Sequence, residues 1–132
     1  MIVDTSAIVA IALNESGRDR LVDALLGAPA PKISAATLVE VGAVLMRRLS
    51  PEDLRRVERL IGQLGIATVS FDAEQAASAT RAYREFGRGS GHPAGLNLGD
   101  CYSYALAAVT GEPLLYVGDD FAHTDVAPVA LD

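Results

Sequence analysis

Short, fully apolar runs alternate along the chain with longer stretches whose hydrophobic residues recur at helical spacing. Met1-Ile2-Val3 is apolar without interruption and stops on Asp4, so it reads as a buried strand. Ser6–Leu13 has the composition of a short apolar helix. A second helix is expected over about Gly17–Leu26, with Leu21, Val22 and Leu25 on one face. Gly27-Ala28-Pro29-Ala30-Pro31 ends it, because proline cannot continue a helix. Lys32-Ile33-Ser34 predicts a short strand, and Ser34 or Thr37 can cap the next helix. That third helix is expected over about Ala36–Leu49, where Leu38, Val41, Leu45 and Leu49 share a face widened by Val44.

Ser50-Pro51-Glu52-Asp53 predicts a fourth helix start: a capping serine, proline at the first helical position, then acids facing the helix dipole. The helix should run to about Leu64, with Leu54, Val57, Leu60, Ile61 and Leu64 inward and Gly65 ending it. Ile66–Phe71 reads as a strand, and Asp72 as the cap of a fifth helix to about Phe86. The long glycine-rich loop Gly87–Gly95 precedes a sixth helix over about Leu98–Thr110, stopped by Gly111. Leu114–Val117 is a fully apolar strand, Gly118-Asp119-Asp120 a turn, and Val126–Leu131 a candidate last edge strand. Strands that alternate with helices, and are apolar without internal alternation, indicate a mostly parallel sheet covered on both faces. With no repeat and no long linker, the 132 residues are expected to form one α/β domain.

Half the residues are hydrophobic, which excludes a disordered chain. No apolar run reaches the roughly 18–20 residues of a membrane helix, and no basic leader precedes the first strand. A lone cysteine, Cys101, leaves no internal disulfide to form, so the expectation is a cytoplasmic protein. The formal net charge of −6 argues by itself against a nucleic-acid partner. It stops doing so if several of the 17 acids converge on a bound cation. Arg47, Arg48, Arg55, Arg56 and Arg59 cluster in one stretch, and Arg81, Arg84 and Arg88 in another, each compatible with a solvated helix face.

Most acids lie on such polar faces, but four positions do not. Asp4 ends the first strand. Glu40 is the only charge in Leu38–Met46. Asp100 opens a helix of small and apolar residues, and Asp119, with Asp120 beside it, follows Leu114–Val117. Each has a structural alternative: helix caps for Asp4 and Asp100, turn chemistry for Asp119 and Asp120, a dipole partner for Glu40. Together they point elsewhere. Two follow strands and two lie early in helices, and in a right-handed β-α-β layout both places share the sheet's carboxyl edge. Carboxylates packed together repel, and at least one is pushed toward protonation unless a hard cation joins them. Mg²⁺ accepts one or two carboxylates and keeps water for a substrate phosphate, which suits phosphodiester hydrolysis.

Other candidates carry less. His92 and His123 lack metal-ligand spacing, Cys101 has no base partner, and the Gly87–Gly95 loop follows no strand and holds no lysine. A phosphoacceptor domain needs an acidic pair after the first strand and a lysine near the last, whereas Asp4 stands alone and Lys32 is the single lysine. An aspartate-nucleophile phosphatase needs an acid where Ser6 stands. The remaining alternative is a non-catalytic α/β module whose acidic pocket grips a basic partner peptide.

Met1-Ile2-Val3-Asp4-Thr5-Ser6-Ala7, Ser34–Glu40, Gly91–Cys101 with its Leu96-Asn97-Leu98-Gly99-Asp100-Cys101, and Leu114–Asp125 with its Gly118-Asp119-Asp120-Phe121 together resemble a PIN-domain ribonuclease of the VapC type. The resemblance spans nearly the whole chain. It implies a PIN-like three-layer α/β/α domain with a central, mostly parallel sheet of four to five strands. It also implies a toxin component of a bacterial toxin–antitoxin pair, cleaving RNA with Mg²⁺, which Mn²⁺ can replace. Asp4, Glu40, Asp100 and one acid near 119 would surround the metal. Asp119 and Asp120 compete for the fourth place, with Asp119 preferred, and Thr5 or Ser6 would orient Asp4. The implied partners are an RNA substrate, a small cognate antitoxin and a second copy in a homodimer.

Overall fold

The computed structural model describes residues 1–131. In chain order the elements are β1 (Ile2–Val3), α1 (Thr5–Ala12), α2 (Arg18–Gly27), β2 (Lys32–Ser34), α3 (Ala35–Leu45), α4 (Pro51–Gln63), β3 (Ala67–Val69), α5 (Ala73–Phe86), α6 (Leu98–Thr110) and β4 (Leu114–Leu115). The four strands form one parallel sheet in the order β3-β2-β1-β4. From β1 the chain steps outward to β2 and β3, then returns past its start to place β4 on the other side of β1. Where strand order reverses, the two adjacent loops diverge and open a crevice at the carboxyl edge. Here that crevice lies between β1 and β4.

Strands β1 and β4 are buried on both faces, whereas the edge strand β3 is largely exposed, and the pleat sorts the side chains. Ile2 and Leu114 are register partners and face the same core as Ala79, Ala82, Phe86, Leu96, Ala105 and Leu106 of the α5–α6 side. Val3 and Leu115, one residue on, face the opposite core with Ile8, Ile11, Leu21, Leu25, Val41, Leu45, Val57 and Ile61 of α1–α4. One layer of helices on each face gives the three-layer α/β/α architecture. Ile2, Val3, Leu114 and Leu115 are each at most 1% exposed, which is why these short strands carry no polar alternation. Among the described residues no helix is long and apolar enough to cross a membrane.

Several boundaries move from their expected places: the strands expected over Ile66–Phe71 and Leu114–Val117 shorten to Ala67–Val69 and Leu114–Leu115, and two further shifts have a visible local cause. The third helix stops at Leu45 rather than Leu49: Arg48 and Leu49 both donate to the Leu45 carbonyl, and the chain turns before Ser50 caps α4. Ser50 precedes a proline and is held extended, so a continuous helix through this point is sterically disfavoured. The expected edge strand over Val126–Leu131 is reduced to one bridge, Leu114 to Pro128. Leu114 N–H donates to Ala127 O and Val129 N–H to Leu114 O, but Pro128 has no N–H to extend the ladder.

Candidate active site

Asp4 sits at the end of β1, where the order of strands reverses, and is only 2% exposed. Its backbone is extended and its carboxylate caps α1: Oδ2 accepts from Ser6 N–H at 3.0 Å and from the Ser6 hydroxyl at 2.7 Å. Its other oxygen, Oδ1, accepts from the Ser103 hydroxyl of α6 at 2.6 Å. Ser6 Oγ in turn accepts from Val117 N–H at 2.9 Å, tying the segment after β4 to the same corner.

Glu40 comes from α3, whose start is fixed by Ser34: its hydroxyl accepts from Ala36 N–H at 3.2 Å. Thr37 is no cap; it is fully buried one turn on. The Glu40 side chain reaches across to α6, and Thr5 of α1 donates its hydroxyl to Oε1. Gly99 makes this approach possible, since a Cβ there would lie 1.5 Å from Glu40 Oε2. Thr5 and Ser6 therefore divide the work expected of either: Ser6 holds Asp4 and Thr5 holds Glu40.

Asp100, 8% exposed, lies in the first turn of α6. Asn97 caps that helix by accepting from Asp100 N–H at 2.8 Å, and Asp100 Oδ2 accepts from Asn97 N–H at 3.0 Å. This reciprocal box fixes the Asp100 rotamer. Burial, opposed by the Asn97 N–H, which favours the charged form, and reinforced by the charges of Asp4, Asp120 and Glu40, pushes the Asp100 carboxyl up to about 7. Burial likewise raises Glu40; the Thr5 hydroxyl opposes that rise and Asp4 adds to it. The acids thus act on one another across four elements.

Asp119 and Asp120, in the turn after β4, are both exposed, but the charge from this turn that acts on Asp100 is that of Asp120. Among the described residues no three Asp, Glu, His or Cys side chains are drawn together tightly enough to form a preassembled metal cage. The donor set is nevertheless all carboxylate oxygen, the kind a hard divalent cation takes. Cys101 offers no competing thiolate: it is fully buried and burial pushes its thiol up to about 12. His92 is engaged in its own loop, with Nδ1 accepting from Ala94 N–H at 3.1 Å and its ring edge-on to Phe86.

A family model described as PIN domain matches residues 1–127. The chain belongs to the PIN-domain family. It is 59% identical to "Ribonuclease VapC42" of Mycobacterium tuberculosis over 128 residues, covering 97% of this chain and 98% of that one. Among solved structures its fold is similar to that of VapC20 from Mycobacterium tuberculosis, described as a sarcin-ricin loop cleaving toxin (TM-score 0.76, 17% identity, 97% of each chain). It is also similar to a chain of a toxin–antitoxin complex from Klebsiella pneumoniae (TM-score 0.69, 20% identity, 97% of this chain and 95% of that one). The resemblance drawn from the sequence is therefore borne out at the level of family and fold.

Three residues packed around the acids escape a sequence reading of this PIN domain: Ser103, Thr37 and Gly99. Ser103 and Thr37 look like ordinary small polar residues in apolar helices. One signal was available for Gly99, a glycine in the first turn of a helix, where it costs stability and calls for a reason.

Proposed function

We propose that this PIN-domain protein is a metal-dependent endoribonuclease, the toxin of a toxin–antitoxin pair, using Asp4, Glu40, Asp100 and an acid of the 119–120 turn. The observation that carries the reading is the mutual electrostatic elevation at the strand crossover, where Asp100 is pushed to about 7 by burial and by the charges of Asp4, Asp120 and Glu40. A hard cation relieves that repulsion, and Mg²⁺, with Mn²⁺ as substitute, suits an all-oxygen donor set. We assign the fourth place to Asp120 rather than Asp119, because Asp120 is the acid felt by Asp100.

When bound, the cation supplies a polarised water nucleophile and charge stabilisation on the phosphodiester oxygens. The chain's own work is positional. Ser6 and Ser103 hold Asp4 from both sides, Thr5 and the bare backbone of Gly99 seat Glu40, and Asn97 fixes Asp100. The buried Cys101 thiol is held protonated and has no part in the chemistry. Direct attack by water is the chemistry that suits a metal held by carboxylates.

The likeness to "Ribonuclease VapC42" supports RNA as substrate, and the likeness to a toxin–antitoxin complex supports a small antitoxin as partner. An antitoxin arginine entering this carboxylate crevice would make charge-assisted hydrogen bonds and occupy the cation's place. The protein acts as a homodimer in the cytoplasm on this reading. The test is cleavage of structured RNA, a sarcin-ricin-loop oligonucleotide included, by purified protein with Mg²⁺. Cleavage by wild type that disappears in Asp4→Asn and in Asp100→Asn is the expected result. Equal activity in all three proteins overturns the assignment.

A further inference from the structure

Asp4 has more hydrogen-bond donors than a helix cap needs. Oδ2 already receives two, the Ser6 N–H and hydroxyl, which is as many as one carboxylate oxygen accommodates. Oδ1 receives one, from Ser103, and retains a lone pair. The Ser103 hydroxyl has a single proton and spends it on Asp4 at 2.6 Å. The contact between Ser103 Oγ and Thr37 Oγ1 at 3.2 Å must therefore run the other way, with Thr37 donating. Thr37 and Ser103 are fully buried, so neither has water as an alternative partner. A directed relay results, Thr37 of α3 to Ser103 of α6 to Asp4 of the β1 edge, joining the elements that also carry Glu40 and Asp100.

We propose that Ser103, itself oriented by Thr37, is a positioning residue that locks Asp4 so that Oδ1 alone is offered to the cation. This rests on the metal-dependent reading of the site and extends it to residues that touch neither substrate nor metal. A carboxylate held from one side only, by Ser6, can rock about its Cβ–Cγ bond and present either oxygen. The Ser103 donor removes that freedom. It also passes the geometry of α3 and α6 to the ligand, so the acids keep register with one another. Hydrogen-bond partners of metal ligands typically govern affinity by roughly 10- to 100-fold when removed.

The test is calorimetric titration of the full chain with Mn²⁺, alongside thermal melts of the metal-free proteins. Ser103→Ala is expected to weaken Mn²⁺ binding about 10- to 100-fold. Thr37→Val, nearly isosteric but without the hydroxyl, should weaken it less, by about threefold to tenfold, because it acts through Ser103. Thr37→Ser keeps the hydroxyl and should bind as wild type does. A purely structural hydrogen bond would lower the melting temperature of Ser103→Ala and Thr37→Val while leaving the Mn²⁺ affinity of the folded proteins unchanged, and that pattern overturns the proposal. If Ser103→Ala does not fold, the contrast between Thr37→Val and Thr37→Ser decides in the same way, equal affinities counting against the relay. Wild-type protein that binds no Mn²⁺ overturns the metal reading and this role with it. Tight wild-type binding that Asp4→Asn abolishes and Ser103→Ala leaves intact overturns this role alone.

Discussion

Asp100 and Gly99 are adjacent in sequence and make opposite demands on the fold. A carboxyl ordinarily near 3.8 that stands at about 7 when folded binds more protons in the native state than in the unfolded chain across that interval. Stability of the metal-free protein therefore falls as pH rises from about 4 to about 7, and stays reduced above, by up to about 4 kcal/mol from this group. Asp100→Asn removes the penalty and can still accept from Asn97 N–H. Its melting temperature should exceed that of wild type by several degrees at pH 8 and match it at pH 4, while RNA cleavage is lost; a lower melting temperature at pH 8 would contradict this account of the site. Gly99 shows no positive φ, so alanine is conformationally allowed there, but its Cβ would occupy the place of the Glu40 carboxylate. Glu40 can swing into solvent, which relieves the cost of its burial. Gly99→Ala is accordingly expected to keep a near-wild-type melting temperature and lose cleavage by about tenfold or more, the scale of an ångström-level misplacement.

Helix starts divide into those that serve stability and those that also serve the site. Ser50 caps α4 at 3.1 Å from Asp53 N–H, with Pro51 behind it, on the exposed side of the molecule. Asn97 caps α6 and at the same time holds the Asp100 carboxylate through its own N–H. Either alanine substitution should cost about 1 kcal/mol, read in a denaturant melt. Only Asn97→Ala should also reduce Mg²⁺-dependent cleavage, since losing the cap loosens the turn that carries Asp100. Equal loss of activity in both variants would mean that general destabilisation, and not the placement of Asp100, accounts for the effect. At this scale the sequence was largely legible: the Ser50-Pro51-Glu52-Asp53 start, the Asp72 cap and the Gly111 stop all form as their chemistry dictates. The misses are a third helix shortened to Leu45, a last strand shrunk to one bridge, and two strands cut to Ala67–Val69 and Leu114–Leu115. Each depends on how a neighbouring element meets the chain.

In the whole molecule, folding and cation binding draw on the same carboxylates. A ligand that binds the folded state alone stabilises it by about 2.7 kcal/mol at a hundred times its Kd. Mn²⁺ should therefore raise the melting temperature of wild type, and more at pH 8 than at pH 6, because Asp100 holds on to its proton at the lower pH. Asp4→Asn should show no such shift at either pH, and a shift equal to that of wild type would place the cation elsewhere. The strand order β3-β2-β1-β4 underlies this linkage, since it sets the end of β1 beside the end of β4 and lets α3 and α6 close over both. The apolar faces of the helices supply the energy that holds the acids together against their repulsion.

The sequence by itself determined the class of fold, the helices and their caps, and the short list of acids that do not belong on a solvated face. These come from local rules: apolar periodicity, proline and glycine placement, and the cost of a charge inside an apolar run. It named Asp4, Glu40 and Asp100, whose charges act on one another, and preferred Asp119 in the turn, where the charge that acts on Asp100 is that of Asp120. Asp119 and Asp120 stand side by side in an exposed turn, and adjacent residues of one type are indistinguishable to any pattern. That Ser103, 99 residues away, completes the hydrogen bonding of Asp4, and that Gly99 makes room for Glu40, only the tertiary structure decided. Such partners are chosen by distance in space, and nothing in the periodicity of either helix encodes it.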